Sequence, residues 1–151
     1  MAGINLTHRH QLRVIYAHTD RMNVVYYGRY FEYFEAARAA FLRRIGIPYE
    51  QLEQQGYHLP VVESHCNYLR PATYGDLVTI VTRLDQEPTA KIRLDYLVYR
   101  DDEEQIIAKG YTVHSFVNQD LRPVRAPDVF MACVRRHAGQ ALEGEDVADD
   151  T

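Results

Sequence analysis

From Gly28 to Ile45 the chain carries Tyr30, Phe34, Ala37, Phe41 and Ile45 at spacings of three and four, which puts them on one face of a helix. Phe31 and Leu42 widen that face, while Arg29, Glu32, Arg43 and Arg44 mark a wetter side. Gly46 suits a C-terminal cap and Pro48 prevents continuation. Elsewhere the apolar period is two. After a loose lead-in over Met1–Thr7, the stretch His10 to Tyr16 aligns Leu12, Val14 and Tyr16 on one face of a strand. His58 to Leu69 has polar residues on both faces, which fits a sheet edge, a pocket wall or a subunit boundary. Asp76 to Gln86 aligns Val78, Ile80, Thr82 and Leu84. Lys91 to Arg100 sets Ile92, Leu94, Tyr96 and Val98 against Lys91, Arg93, Asp95 and Tyr99. Gln105 to Asn118 is the last long strand, and Gly110 inside it marks a bulge or a close backbone contact. Tyr49–Gln55 and Pro127–His137 read as short helices, and Asp101–Glu104 as a charged hairpin turn.

One strand, one long helix and four further strands with hairpin-length connections predict an α+β fold. A mainly antiparallel, five-stranded sheet would curl around the central helix. The pattern gives one domain over residues 1–138 and an acidic tail without fixed structure over 139–151.

Composition narrows the function. At 151 residues the chain is long enough for one sizeable core. A net charge of −4 gives no global field to attract nucleic acid. No apolar run reaches membrane-spanning length and no signal-peptide core is present, so no membrane insertion is expected. Cys66 and Cys133 do not make a disulfide framework, which together with the absent export signal predicts a cytoplasmic protein with reduced thiols.

Several chemistries lack their residues. There is no nucleophile elbow, P-loop or dinucleotide motif. His8 and His10 read as surface imidazoles, and neither they nor the cysteines have metal-ligand spacing. What remains is a cofactor-free reaction using a carboxylate. Asp20 lies just ahead of the long helix, whose free N–H groups can stabilise a developing oxyanion. It is placed to act as nucleophile or general base, but its spacing alone favours a cap of its own turn.

The stretch T-D-x-M-x-V-V-Y-x-x-x-Y-x-x-x-F-E-x-A-R stands here as Thr19, Asp20, Met22, Val24, Val25, Tyr26, Tyr30, Phe34, Glu35, Ala37 and Arg38. A second pattern, Y-x-x-P-A-x-x-G-D, falls on Tyr68, Pro71, Ala72, Gly75 and Asp76. In this order they resemble the 4-hydroxybenzoyl-CoA thioesterase family of hot-dog-fold enzymes, over about Gln11 to Pro127. The resemblance implies hydrolysis of an acyl-CoA to free acid and CoA, without metal or cofactor. It implies that Asp20 attacks the carbonyl or activates water while the backbone N–H near Tyr27 holds the carbonyl oxygen. It puts His18, Asn23, Tyr30 and Phe34 around the acyl group. The CoA phosphates need cations, and alternation sets Lys91 and Arg93 on the sheet face away from the helix. Subunits would pair their sheets as a homodimer or homotetramer, with active sites at the boundary. Three positions depart from the commonest family pattern: His18 where many relatives have an acid, Asn23 where many have glycine, and Tyr27 where many have histidine. Two other readings keep the same fold: a non-catalytic acyl-CoA-binding regulator, and a hydrolase of acyl groups on a carrier protein.

Overall fold

The structure, a computed structural model, describes residues 3–100 and 104–144. In chain order come β1 (Leu6–Arg13), α1 (Arg29–Ile45), α2 (Tyr49–Gln54), β2 (Val61–Tyr68), β3 (Leu77–Leu84), β4 (Lys91–Arg100), β5 (Gln105–Ser115), α3 (Asp128–His137) and β6 (Ala141–Glu143). They build one sheet in the order β2-β5-β4-β3-β1-β6, antiparallel throughout except for the β1–β6 pair. The turn expected over Asp101–Glu104 lies outside the described residues except for Glu104.

Helix α1 follows its sequence pattern. Tyr30, Phe34, Ala37, Phe41 and Ile45 are all buried, and each large apolar side chain among them contributes about 2 kcal/mol by leaving water. Gly46 ends the helix in the left-handed region at φ 94°, with its N–H donating to Arg43 and Leu42. The sheet's inner face meets the helix through Ile80, Ile92, Leu94, Tyr96 and Val98. Phe34 stacks on Tyr96 at 4.3 Å between ring centroids. Gly110 makes that stack possible: a Cβ there would stand 2.9 Å from the Phe34 ring and 2.1 Å from the His65 carbonyl oxygen.

The interior also holds a polar chain. Arg38, on the apolar side of α1, donates through Nε to Tyr49 at 2.6 Å and through Nη1 to Tyr96 at 3.2 Å. Tyr96 shares a 2.7 Å hydrogen bond with Thr112, which is 2.9 Å from His114 Nε2. His114 Nδ1 reaches the Leu59 carbonyl at 3.1 Å. Burial, reinforced by the Arg38 charge, lowers the His114 pKa to about 4. The imidazole is therefore neutral at pH 7, with its proton on Nδ1, which donates to the Leu59 carbonyl.

Four expectations are corrected. The sheet has six strands, because Ala141–Glu143 pairs parallel to β1 inside the segment expected to be a tail. One apolar side chain accounts for this: Leu142 is buried, and the Glu143 carbonyl accepts from Arg44 at 3.0 Å. Residues 145–151 of that segment lie outside the described residues. The first strand starts at Leu6 and ends at Arg13, so Tyr16 opens a 3-10 turn instead of closing a strand. Within the strand Leu6 and His8 point inward, and His8 is fully buried near Phe41 rather than a surface imidazole. Arg44, placed by pattern on the wet side of α1, is buried by its contact with β6.

Candidate active site

Between β1 and α1 the chain makes a small hairpin. A 3-10 turn at Tyr16–His18 redirects it. Thr19 then bridges to Val25, the Asp20 N–H donates to Val24 O at 2.9 Å, and the Tyr26 N–H donates to His18 O at 2.9 Å. The tip is a tight turn, with the Asn23 N–H on Asp20 O at 2.9 Å and Asn23 at φ 63°. Asparagine is the non-glycine residue that best tolerates this region, so the family's commoner glycine is dispensable here.

The two sequence motifs meet at this hairpin. Val24 bridges to Thr73, and the Val25 N–H donates to Ala72 O at 2.9 Å. The second motif is itself fixed by Asp76, which accepts from the Thr73 N–H at 2.8 Å, and by Arg100 donating to Pro71 O at 3.0 Å. From the end of β2 the Tyr68 hydroxyl donates to the Tyr27 carbonyl at 3.1 Å.

Asp20 is half-buried at the hairpin tip. Its Oδ1 accepts the Met22 N–H at 2.8 Å. Among the described residues its Oδ2 has no hydrogen-bond partner. The carboxylate therefore caps its turn with one oxygen, and among the described residues the other is left unengaged. Helix α1 opens close by with no side-chain cap on Gly28. Its first paired N–H groups are those of Arg29, to Tyr26 O at 2.9 Å, and Tyr30, to Tyr27 O at 3.2 Å. Among the described residues the N–H groups of Tyr27 and Gly28 reach no backbone acceptor.

The other expected site residues divide into two groups. Tyr27 is exposed beside the hairpin, with its ring 4.4 Å from Tyr26 and 6.1 Å from Tyr68. Tyr30 lies beneath, buried, its ring 5.2 Å from Tyr68. His18 turns toward α1, with Nδ1 2.9 Å from the Tyr33 hydroxyl; among the described residues nothing bonds it to Asp20. Asn23 sits on the turn. Burial is the first cause that raises the phenols of Tyr30, Tyr33 and Tyr68 to about 12, so they remain protonated donors at any working pH. Hydrogen bonding to Tyr27 is the first cause that raises the Tyr26 pKa, and the negative charge of Asp20 adds to it.

Phe34, Lys91 and Arg93 lie apart from this group within one protomer. Phe34 is fully buried, stacked on Tyr96. Arg100, which holds the second motif, ends β4, and Lys91 begins it. At about 3.3 Å per residue that strand separates them by roughly 30 Å. Arg93 pairs with Asp95 at 3.1 Å and lies 3.9 Å over the Tyr111 ring. It lines an outer-face cleft of about 320 Å³ with His65, Asn67, Lys109 and Tyr111.

Tyr68 and Tyr26 were not singled out from sequence as site residues. Tyr68 opens the second motif, and that was the available signal: a motif tyrosine on a strand with polar residues on both faces. Among the described residues no group of three or more His, Cys, Asp or Glu side chains could hold a metal ion.

The hairpin thus carries a carboxylate oxygen with no partner among the described residues and leads into a helix start whose first N–H groups have no backbone acceptor among them. A model of the thioesterase-like superfamily matches residues 14–134, and the chain belongs to that family. An acyl-CoA thioesterase from Haemophilus influenzae, YbgC, is 31% identical over 91 residues, covering 60% of this chain and 67% of that protein. The crystal structure of a DHNA-CoA thioesterase from Staphylococcus aureus superposes with a TM-score of 0.75 at 26% identity, covering 79% of this chain and 80% of that one. The 4-hydroxybenzoyl-CoA thioesterase from Pseudomonas sp. strain CBS-3 has the same hot-dog fold, with a TM-score of 0.77 at 20% identity over 85% of this chain and 99% of that one.

Proposed function

We propose that this chain hydrolyses an acyl-CoA thioester: acyl-CoA plus water gives a carboxylic acid and CoA thiol. Asp20 either attacks the carbonyl carbon or takes a proton from the attacking water. The N–H of Tyr27 receives the negative charge that develops on the carbonyl oxygen. The observation that carries this reading is that one hairpin holds an Asp20 oxygen with no partner among the described residues and leads straight into helix N–H groups with no backbone acceptor among them. A thioester suits such a site, since its carbonyl is electrophilic and thiolate leaves without a metal.

The acyl group would lie against Tyr27 and Tyr30 and beside His18 and Asn23, with Phe34 as buried support. Two subunits would complete the groove. Strand β2 is an edge strand, and Val61, Val62, Tyr68 and Leu69 next to that edge are exposed. Pairing two such edges about a two-fold axis would bury them and wall the site. Lys91 and Arg93 could then meet the CoA phosphates only from a neighbouring subunit. The free thiols of Cys66 and Cys133 support a cytoplasmic setting. No described helix is long and apolar enough to cross a membrane.

The test is thiol release from a panel of aliphatic and aromatic acyl-CoAs by wild type and by Asp20→Asn. We expect turnover of at least one member by wild type, and a loss in kcat of about 10²–10⁴-fold in a normally folded variant. Full activity in Asp20→Asn would remove Asp20 from the mechanism. Tight acyl-CoA binding without any release would make the protein a binding module instead.

A further inference from the structure

We propose that Tyr68 is a positioning residue of the oxyanion site: its hydroxyl holds the Tyr27 carbonyl, and so aims the Gly28 N–H as a second donor beside that of Tyr27. This rests on the hydrolase reading above.

The geometry is that of two consecutive peptide planes. Each trans peptide holds its C=O and the next residue's N–H in one rigid plane, pointing in opposite directions. Fixing the oxygen therefore fixes the direction of the hydrogen. The plane bearing the Tyr27 N–H is held at Tyr26 O by the Arg29 N–H at 2.9 Å. The plane bearing the Gly28 N–H has a weaker backbone hold, since the Tyr30 N–H lies 3.2 Å from Tyr27 O. The Tyr68 hydroxyl supplies the second hold at 3.1 Å, from a strand 41 residues away in sequence. A hydrogen bond accepted by a carbonyl also polarises its peptide and strengthens the N–H on the far side. The phenol is itself braced by the rings of Tyr27 and Tyr30.

Gly28 supports a donor role by what it lacks. Its backbone is ordinary helix at φ −64°, so glycine is not needed for conformation. A Cβ would stand 3.0 Å from the Tyr26 ring, so glycine leaves room for a ring packed beside the helix start.

The experiment compares wild type, Tyr68→Phe, Tyr68→Leu and Asp20→Asn on the best thioester of the panel. Binding of a non-hydrolysable thioether analogue, which lacks the carbonyl oxygen, is measured in parallel. We expect Tyr68→Phe to lower kcat roughly tenfold while KM and thioether affinity stay within about twofold, the signature of an interaction made in the transition state. Tyr68→Leu, included in case the phenylalanine variant folds poorly, should lose at least as much kcat. An unchanged kcat in Tyr68→Phe overturns the proposal, and so does a raised KM or weakened thioether binding at constant kcat, which would make Tyr68 a substrate contact. If Asp20→Asn is inactive while Tyr68→Phe is normal, only the positioning role falls. A wild-type protein without turnover overturns both readings.

Discussion

At the middle of α1, Tyr49 and Tyr96 close around Arg38, and the polar chain continues through Thr112 and His114 to the Leu59 carbonyl. At its start, Tyr26, Tyr27 and Tyr68 surround N–H groups that have no backbone acceptor, and all three rings are substantially exposed. The same residue type meets the same helix with opposite consequences. In the interior the hydroxyls are consumed by fixed partners, so they lock the helix onto the sheet. At the start the donors are left over, so they can meet a substrate. Changes in the middle should therefore move stability, and changes at the start should move rate.

The largest break in that division is expected from Gly110→Ala. The added carbon meets the His65 carbonyl and the Phe34 ring at distances no side chain tolerates, so we expect a loss of roughly 3 kcal/mol or more in urea unfolding. Arg38→Ala comes next: it opens a cavity and strips a donor from two phenols, costing about 2 kcal/mol, with kcat per folded molecule unchanged. The smallest effect is a pH dependence. Because the His114 pKa is about 4 when folded against 6.5 ordinarily, the unfolded chain binds more protons between those values. Stability from this group is therefore intact above pH 6.5, falls as pH drops, and reaches its full loss below pH 4. Between pH 7 and 5.5 the expected loss is about 1 kcal/mol, measurable as a difference between wild type and His114→Gln. An equal pH slope in both proteins would contradict it. By contrast Asp20→Asn and Tyr68→Phe should leave unfolding curves almost in place.

The sequence disclosed most where a repeat of three and four, or of two, runs uninterrupted over many residues. Helix α1 begins one residue after Gly28 and ends at Gly46 because the periodicity and the glycine cap agree. Strand β6 stayed hidden because three residues with one apolar side chain carry no period, and only the tertiary contact of Leu142 makes them a strand. The residue type of His8 suggests surface, whereas strand alternation from Leu6 sets it inward. The turn at Asp20 and Asn23 was legible through the family resemblance, and its left-handed residue lies where that pattern puts it. The contact between Tyr68 and Tyr27 had no local signature, since the residues are 41 positions apart. Arg38 could have been noticed, because it stands four residues after Phe34 and three before Phe41, on the apolar side of the helix.

Gly110 ties the two regions to each other. It is the register partner of Cys66 on β2, and Tyr68 follows two residues later on the same side of that strand. The vacancy at position 110 thus sets how near the edge strand lies to the aromatic layer, and with it where the Tyr68 hydroxyl lands. An evolutionary change that filled this gap would be felt as a detuned catalyst as well as a looser core. If Tyr68 positions the oxyanion site as proposed, turnover would be adjustable from the packing layer between helix and sheet, through the space that glycine leaves beside the Phe34 ring.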